Sequence, residues 1–492
     1  MAEPIWLGID VGTQSVRCVA VAGDRVAGAG SAPLAGRRAG NRHEQDPRDW
    51  WAALVTACRR ALADLPAGLP TGVRAVALCA TSGTVLLADR AGRPVSPGLM
   101  YDDTRAAGEA DRAAAAGAAL WRELGYRPQP SWALPKLLWL LDHHGADRPA
   151  GVRLRHQSDH LTGLLTGRPT AADSSSALKT GYDLVRERWP GELLAELGVP
   201  AEALPEVVRP GSPLGEVCAA AAAETGIPAG TPVRAGMTDG CAALLGSGAL
   251  TVGSWNAVLG TTLVLKGVTA HRLRDPLGVV YSHRAPGGAW LPGGASGAGA
   301  GVLSAEFPGR DLDELGARAA ALPPSTMVTY PLVSRGERFP FVAPDAERFT
   351  LGEPASEVDA FAAVLRGVAF VERLCFDYLD LLGAPVDGPI RLTGGGTRSR
   401  HWCQLRADTL GREVVVPEQA EPAVGMAVLA RAGTGSLAEA GRHLVRPHRT
   451  FVPRGEPAEA LREGYLGLAD ELHRRGWLPD ALARHARERS TA

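Results

Sequence analysis

Lysine is nearly missing from this chain. Of its 52 basic residues only Lys136, Lys179 and Lys266 are lysines, and arginine supplies the rest. Alongside abundant alanine this reads as codon bias, and it makes each lysine worth individual attention. A surplus of either charge is also missing: 52 Lys plus Arg against 53 Asp plus Glu leave a net charge of -1, which excludes the basic footprint of a nucleic-acid binder and the acidic run of a solvating tail. No stretch approaches the roughly 20 apolar residues of a membrane helix, and the start Met-Ala-Glu-Pro carries no basic-then-apolar leader. The expectation is a cytoplasmic protein without a membrane or nucleic-acid partner, with a homodimer left open. The 7 cysteines are scattered, odd in number and never spaced C-x-x-C, which argues against a disulfide framework and a zinc site and for reduced, core-filling thiols. The 12 histidines form no H-E-x-x-H pair, and no hydrolase elbow or triad order stands out.

What is present is length and glycine. A chain of 492 residues has room for two to four domains at roughly 100 to 200 residues each. The 60 glycines gather at particular places. Ile5–Asp10, Ser15–Ala22 and Arg25–Ala29 read as three short strands, with Gly23-Asp24 as a two-residue hairpin turn. Asp49–Asp64 has helical apolar spacing behind a capping Asp, and Val73–Cys79 reads as a buried strand ending in Ala80-Thr81-Ser82-Gly83. The middle is mostly helical, including Ser131–His144 and His156–Leu165. Val233–Met237 is a short strand running into Thr238-Asp239-Gly240 and a small-residue helix. Composition shifts at 246–254, which places a division between domains 1–247 and 248–492. The second half opens on Trp255–Val268, two strands around Leu259-Gly260-Thr261-Thr262, and continues through a long helix (Glu357–Leu382), the strand Pro389–Leu392 and a helix over Ser399–Leu410. Both halves begin with strand, Gly-Thr turn, strand. That hints at a pseudo-duplicated α/β protein with a cleft between two lobes.

Three strand-end segments carry candidate chemistry. Asp10, at the end of a buried strand and followed by Gly12-Thr13-Gln14, suits a phosphate and its hydrated metal ion; a plain hairpin with a capping Asp would explain the same residues. Gly260-Thr261-Thr262 repeats the theme more weakly. Thr393-Gly394-Gly395-Gly396 joins a strand to a helix bearing Trp402, so a ligand can approach the backbone beside an aromatic face; close helix packing is the plain alternative, and the spacing is not G-x-G-x-x-G. Together the three point to a nucleotide cradled by two lobes. Phosphoryl transfer asks chiefly for positioning, charge neutralisation and a carboxylate aimed at the acceptor hydroxyl. Asp239 is the candidate base, with a helix N-cap as its plain alternative. Arg338 and Lys136 read as structural charges against apolar neighbours.

In order along the chain, GIDVGTQSVR, EQDPRDWW (44–51), WALPKLLWL (132–140), HLTGLLTG (160–167), GMTDGCA (236–242), GERFPF (336–341) and TGGGTRSRHWCQLRADTLG (393–411) resemble the FGGY carbohydrate kinases from end to end. The resemblance implies an α/β, two-lobed actin-like or ribonuclease-H-like ATPase fold with a cleft between the lobes. ATP and Mg²⁺ are the implied cofactors, and the γ-phosphoryl group would pass to a small sugar or polyol. By position, Asp10 would face the metal and phosphates, and Gly12, Thr13 and Gln14 would form the first phosphate loop. Gly260, Thr261 and Thr262 would form the second. Gly395, Gly396, Ser399 and Trp402 would hold adenosine, and Ser399 departs from the Asn of many members. Asp239 would be the base, and the sugar side would comprise Asp10, Ser82, Asp103, Arg105 and Asp239. Xylulose kinases of the family usually carry a Gln-Met-His-Gly loop and a Trp-Asn-Asp-x-Arg segment. This chain has Ala80-Thr81-Ser82-Gly83-Thr84 and Tyr101-Asp102-Asp103-Thr104-Arg105, which look like the plant and cyanobacterial subgroup described as D-ribulose kinases. The expected activity is therefore ATP-dependent phosphorylation of D-ribulose to D-ribulose 5-phosphate, with xylulose or another polyol as the alternative acceptor. A non-catalytic, nucleotide-responsive scaffold is the alternative of a different class.

Overall fold

A computed structural model describes residues 3–65, 72–143, 151–323, 325–442, 444–455 and 458–491. The chain divides into two units. The first comprises Met1–Leu250, His283–Leu291 and Gln419–Val445, and the second Thr251–Ser282, Pro292–Glu418 and Arg446–Ala492. The composition shift at 246–254 marks one division; the observed units interleave.

The first unit is built on a six-stranded sheet. Its strands are β1 (Ile5–Val11), β2 (Ser15–Ala22), β3 (Arg25–Pro33), β4 (Val73–Ala80), β5 (Pro213–Glu216) and β6 (Pro232–Thr238), in the spatial order β5-β6-β4-β1-β2-β3. β1, β2 and β3 are an antiparallel meander, β4 lies parallel to β1, β6 lies parallel to β4, and β5 closes the edge antiparallel. Ala22 pairs with Arg25 across the Gly23-Asp24 turn, as the hairpin reading expects. Helix α1 (Pro47–Ala63) begins two residues before the expected start because Pro47 sits at its first turn and Asp46, not Asp49, is the cap, its carboxylate accepting from the Arg48 amide at 2.9 Å. Helix α2 (Ala133–His143) fills most of the predicted 131–144 span; His144 lies outside the described residues. Helix α3 (Asp239–Gly246) follows β6 without a gap. A helix from far along the chain, Pro422–Ala432, packs on the same sheet. A Cβ on Gly8 of β1 would lie 1.8 Å from the Ala423 carbonyl oxygen, and one on Gly425 would lie 2.0 Å from that of Ala242 in α3. Glycine is what lets the three backbones meet.

The second unit repeats the plan. Its seven-stranded sheet uses β7 (Trp255–Leu259), β8 (Leu263–Gly267), β9 (Trp290–Ala295), β10 (Ile390–Thr393), β11 (Val414–Pro417) and β12 (Pro447–Phe451), in the order β9-β8-β7-β10-β11-β12, with the short strand Tyr281–Arg284 added outside β9. Again there is an antiparallel meander, then two parallel neighbours, then an antiparallel edge. Set beside β3-β2-β1-β4-β6-β5, these six strands match in direction, and the second sheet carries one further edge strand. Short helices α4 (Gly301–Glu306) and α5 (Leu312–Ala319) lead to α6 (Glu357–Leu381), which is apolar on nearly every side and runs through the core with Phe361, Leu365, Phe370 and Leu374 buried. Helix α7 (Arg400–Leu410) packs against it, tied by a fully buried pair in which the Arg406 Nε and Nη2 donate to Glu372 at 2.6 and 2.7 Å. The seven cysteines are all free thiols. Among the described residues no helix is long and apolar enough to cross a membrane.

Candidate active site

Parallel pairing in the first unit brings three separate segments to one sheet edge. Val11 pairs with Ala80, and Ala80 pairs with Thr238. The C-terminal ends of β1, β4 and β6 therefore lie side by side, which is where open α/β sheets place ligands. Asp10, Ser82 and Asp239 are the residues this edge presents. Burial raises the Asp10 carboxyl to about 6, and the negative charge of Asp239 adds to the effect; the two carboxylates are electrostatic neighbours. The Cys79 thiol, opposite Asp10 in the β1–β4 register, approaches Oδ1 at 3.4 Å. Asp239 opens α3 and accepts from the Gly240 amide at 2.8 Å. The junction before it is held from behind: the Thr238 amide donates to Ser175 Oγ at 2.9 Å, and Ser175 Oγ donates to Asp173 Oδ1. The Ser82 hydroxyl is buried and has no hydrogen-bond partner within the protein, the kind of orphan a ligand satisfies.

The turn after Asp10 is a tight one. The Gly12 amide donates to the Ser15 carbonyl at 3.0 Å, and the Thr13 carbonyl accepts from Gln45 Nε2 at 2.7 Å, while the Gln14 side chain is exposed. Gln45 in turn accepts from the buried Trp50 indole at 2.7 Å. This explains the Glu-Gln-Asp-Pro-Arg-Asp-Trp-Trp motif: Gln45 pins the turn, Asp46 caps α1 and Trp50 anchors both.

Two of the three lysines hold the neighbouring loop. Lys136, without exposed surface, donates through Nζ to the Gly83 carbonyl at 3.0 Å and the Met100 carbonyl at 2.5 Å, and Lys179 donates to the Ser82 carbonyl at 3.1 Å. Burial pulls the Lys136 amine down to about 7, with Asp103 opposing the shift. Asp103 and Arg105, expected on the sugar side, are engaged with other residues of the protein. Asp103 has no exposed surface; its oxygens accept from Arg105 Nε and Nη2 at 2.9 and 2.7 Å and from the His43 amide at 2.7 Å. Arg105 also pairs with Glu44 at 2.8 Å and lies over the Trp139 ring. The pair braces the 99–105 segment, and Lys136 and Trp139 of the Lys-x-x-Trp motif clamp it from α2. The residue of this segment that lies nearer the chemistry is Tyr101, which sequence reasoning left out. It is 42% exposed, and its phenol is raised by burial, Asp102 and Asp239. An aromatic opening a Tyr-Asp-Asp-x-Arg run was the available signal.

In the second unit, Gly395, Gly396, Ser399 and Trp402 line one cavity of 340 Å³. Ala300, Leu303 and Ser304 at α4, Gly316 of α5, and Phe361 and Leu365 of α6 form much of its wall, and the charged Asp311, Asp313 and Arg398 also line it. The Gly395 position faces open space, with no atom within 4 Å of a would-be Cβ, whereas Gly394 at φ +85 presses on the Leu259 carbonyl. The Gly260-Thr261-Thr262 turn sits against the same region: the Ala300 amide donates to the Gly260 carbonyl at 2.9 Å and the Gly301 amide to the Thr261 carbonyl at 3.1 Å. Two expectations are refined. Ser399 is the cap of α7, its Oγ accepting from the Trp402 amide at 3.2 Å, so its hydroxyl serves the helix. Trp402 is 3% exposed, with its indole donating to the Leu365 carbonyl at 3.1 Å; it is a wall packed into the core and offers little free ring face. Arg338 donates to the Ala295 carbonyl at 2.9 Å. Its neighbour Glu337, raised by burial, accepts from the Gly297 amide, Ser296 and Tyr330, which fixes the glycine-rich run before α4.

Comparison with known proteins gives this geometry its context. A solved xylulose kinase from Rhodospirillum rubrum superposes with a TM-score of 0.84 at 27% identity, over 96% of this chain and 99% of that one. The duplicated fold is that of the two-domain, actin-like and ribonuclease-H-like ATPases. The xylulose kinase of Streptomyces coelicolor is 33% identical over 436 residues, 85% of each chain, and the autoinducer-2 kinase of Yersinia pseudotuberculosis is 30% identical over 512 residues, 94% of this chain and 95% of that one. Residues 5–246 match the N-terminal domain of the FGGY family of carbohydrate kinases, and residues 255–433 match its C-terminal domain. The chain belongs to that family. It is an enzyme, a sugar phosphotransferase, which sets the scaffold alternative aside.

Proposed function

We propose that the protein transfers the γ-phosphoryl group of ATP to the terminal hydroxyl of a ketopentose, with D-ribulose as the acceptor. The observation that carries the reading is the meeting of Asp10, Ser82 and Asp239 at adjacent parallel strand ends. Asp239 is the base: its carboxylate accepts the acceptor hydroxyl proton as the oxygen attacks phosphorus. The Ser175–Thr238 hydrogen bond holds that carboxylate at the helix start. Ser82, with its unpartnered hydroxyl, contacts the sugar, and Tyr101 screens the site. Asp103 and Arg105 support the loop and are left out of the contact set. Gly12, Thr13 and Gln14 form one phosphate-facing turn and Gly260, Thr261 and Thr262 another, with the Gly12 and Gly260 amides closing the turns on the Ser15 and Thr262 carbonyls. Gly395 and Gly396 floor the adenosine cavity against Trp402.

A Mg²⁺ ion suits Asp10. Among the described residues no cluster of three or more His, Cys, Asp or Glu is placed to hold a metal, and Mg²⁺ characteristically binds through one or two carboxylates plus phosphate oxygens and water. The Asp10–Asp239 repulsion that helps raise Asp10 is what a dication would relieve. When bound, the ion offsets phosphate charge.

A second reading, D-xylulose, is favoured by the names of the Streptomyces and Rhodospirillum relatives. The small-residue loop Ala80–Thr84 supports D-ribulose. ADP release measured across a panel of D-ribulose, D-xylulose and pentitols separates them: the highest kcat/KM with D-ribulose is expected, and a preference for D-xylulose would replace the acceptor while keeping the reaction.

A further inference from the structure

Helices α5, α6 and α7 wall a second cavity in the second unit, of 440 Å³, within the size range of small-molecule sites. It shares no lining residue with the adenosine cavity. On α6 the adenosine cavity takes Phe361 and Leu365 and this one takes Ala362 and Arg366; on α7 the division falls between Trp402 and the pair His401 and Leu405. The two cavities are built on neighbouring stripes of the same helices.

Arg366 makes this cavity unusual. It is 7% exposed, and its one hydrogen bond among the described residues runs from Nε to the Met327 carbonyl at 2.7 Å. Its Nη2 is buried without a partner, and among the described residues it joins no ion pair. Burial lowers its pKa, and Asp359, two turns away on α6, acts on it only at longer range. Among the described residues the other charged groups lining the cavity are paired or neutral. Asp408 accepts from the Arg454 amide at 2.8 Å, from Arg454 Nη2 at 2.7 Å and from Gln404 at 2.8 Å. His401 is held below its ordinary value by burial and by Arg454 and Arg366, so it is neutral at physiological pH. What remains, among the described residues, is one guanidinium without an ion-pair partner beside the apolar walls of Ala319, Leu322, Pro323, Ala362, Leu405 and Leu461. A buried cation without a counter-charge is costly, and a guanidinium fork matches a planar carboxylate. A phosphate dianion would leave one negative charge unbalanced beside Asp408.

We propose that this cavity is a binding site for a small organic monocarboxylate, its carboxylate on Arg366 and its hydrocarbon body against the apolar walls. The proposal is independent of which sugar the enzyme phosphorylates. Hexanoate titrated calorimetrically into the full-length protein saturated with ADP is the test, with hexanol and inorganic phosphate as comparison probes. Hexanoate is expected to saturate the protein with ADP present. Hexanol and phosphate should each bind at least about tenfold more weakly, and Arg366→Met should weaken hexanoate by a similar factor. Ala320→Trp, at an exposed lining position, fills the mouth without touching the core and should abolish binding even if Arg366→Met folds poorly. Absence of saturation by about 20 mM hexanoate, displacement of hexanoate by ADP, equal affinity for phosphate, or binding unchanged in both variants would each overturn the proposal.

Discussion

Replacing Lys136 by methionine tests the loop architecture and carries its own internal control in pH. The Lys136 amine is fully buried, and burial lowers it from an ordinary 10.5 to about 7. Between these values the unfolded chain holds a proton that the folded chain has lost, so this group makes stability rise as pH rises. The slope is about 1.4 kcal/mol per pH unit. Below pH 7 both states are protonated and the penalty for burying the ammonium is fully present; above 10.5 it has vanished. Methionine fills a similar volume and does not titrate, but strips donors from the Gly83 and Met100 carbonyls, a pH-independent loss of about 1–3 kcal/mol for each carbonyl left unsatisfied. Urea unfolding of both proteins, followed by tryptophan fluorescence, should therefore show wild type gaining about 2.7 kcal/mol on Lys136→Met between pH 7.5 and 9.5. The variant should also raise the sugar KM while leaving that for ATP in place, because the loop it loosens carries Ser82. A stability difference that stays constant across pH would refute the buried, depressed amine.

Three further expectations follow from named contacts. A Cβ on Gly395 would meet no atom within 4 Å, so Gly395→Val should keep stability within about 1 kcal/mol while weakening ATP binding at least about tenfold in equilibrium titration; normal affinity would remove the glycine from the nucleotide floor. Glu372→Gln leaves the fully buried Arg406 without its counter-charge and should lower stability by about 3–5 kcal/mol, read by thermal unfolding; an unchanged midpoint would show that the pair is dispensable. Ser175→Ala removes the acceptor of the Thr238 amide and should cut kcat about tenfold with little change in the ATP KM, whereas a loss confined to stability would leave Ser175 a purely structural role.

The sequence made some of this legible because the signals were local. The meander of the first three strands, the Gly23-Asp24 turn and the repeated strand, Gly-Thr turn, strand of each half follow from alternation and glycine placement, and the matched sheets are their three-dimensional counterpart. Long-range relations were not readable. Nothing local says that Gly8 of β1 must admit the backbone of Ala423, which is why a helix from near the end of the chain belongs to the first unit. Asp103 and Arg105 were read for the sugar side from their motif alone; that they also brace the loop is visible only in their burial and occupied oxygens. Ser399 was read for its difference from asparagine, and its capping bond depends on where α7 starts. The scarcity of lysine did point at Lys136, though not at the two carbonyls it joins.

The central claim is that Asp239 takes the proton from a ketopentose hydroxyl. Asp239→Asn, assayed by ADP release with D-ribulose and D-xylulose alongside ATP binding by calorimetry, tests it most directly. A fall in kcat of about 10²–10⁴ with ATP affinity retained is predicted. Turnover near the wild-type rate in the variant, or ADP release by the wild type that is indifferent to every sugar, would contradict it.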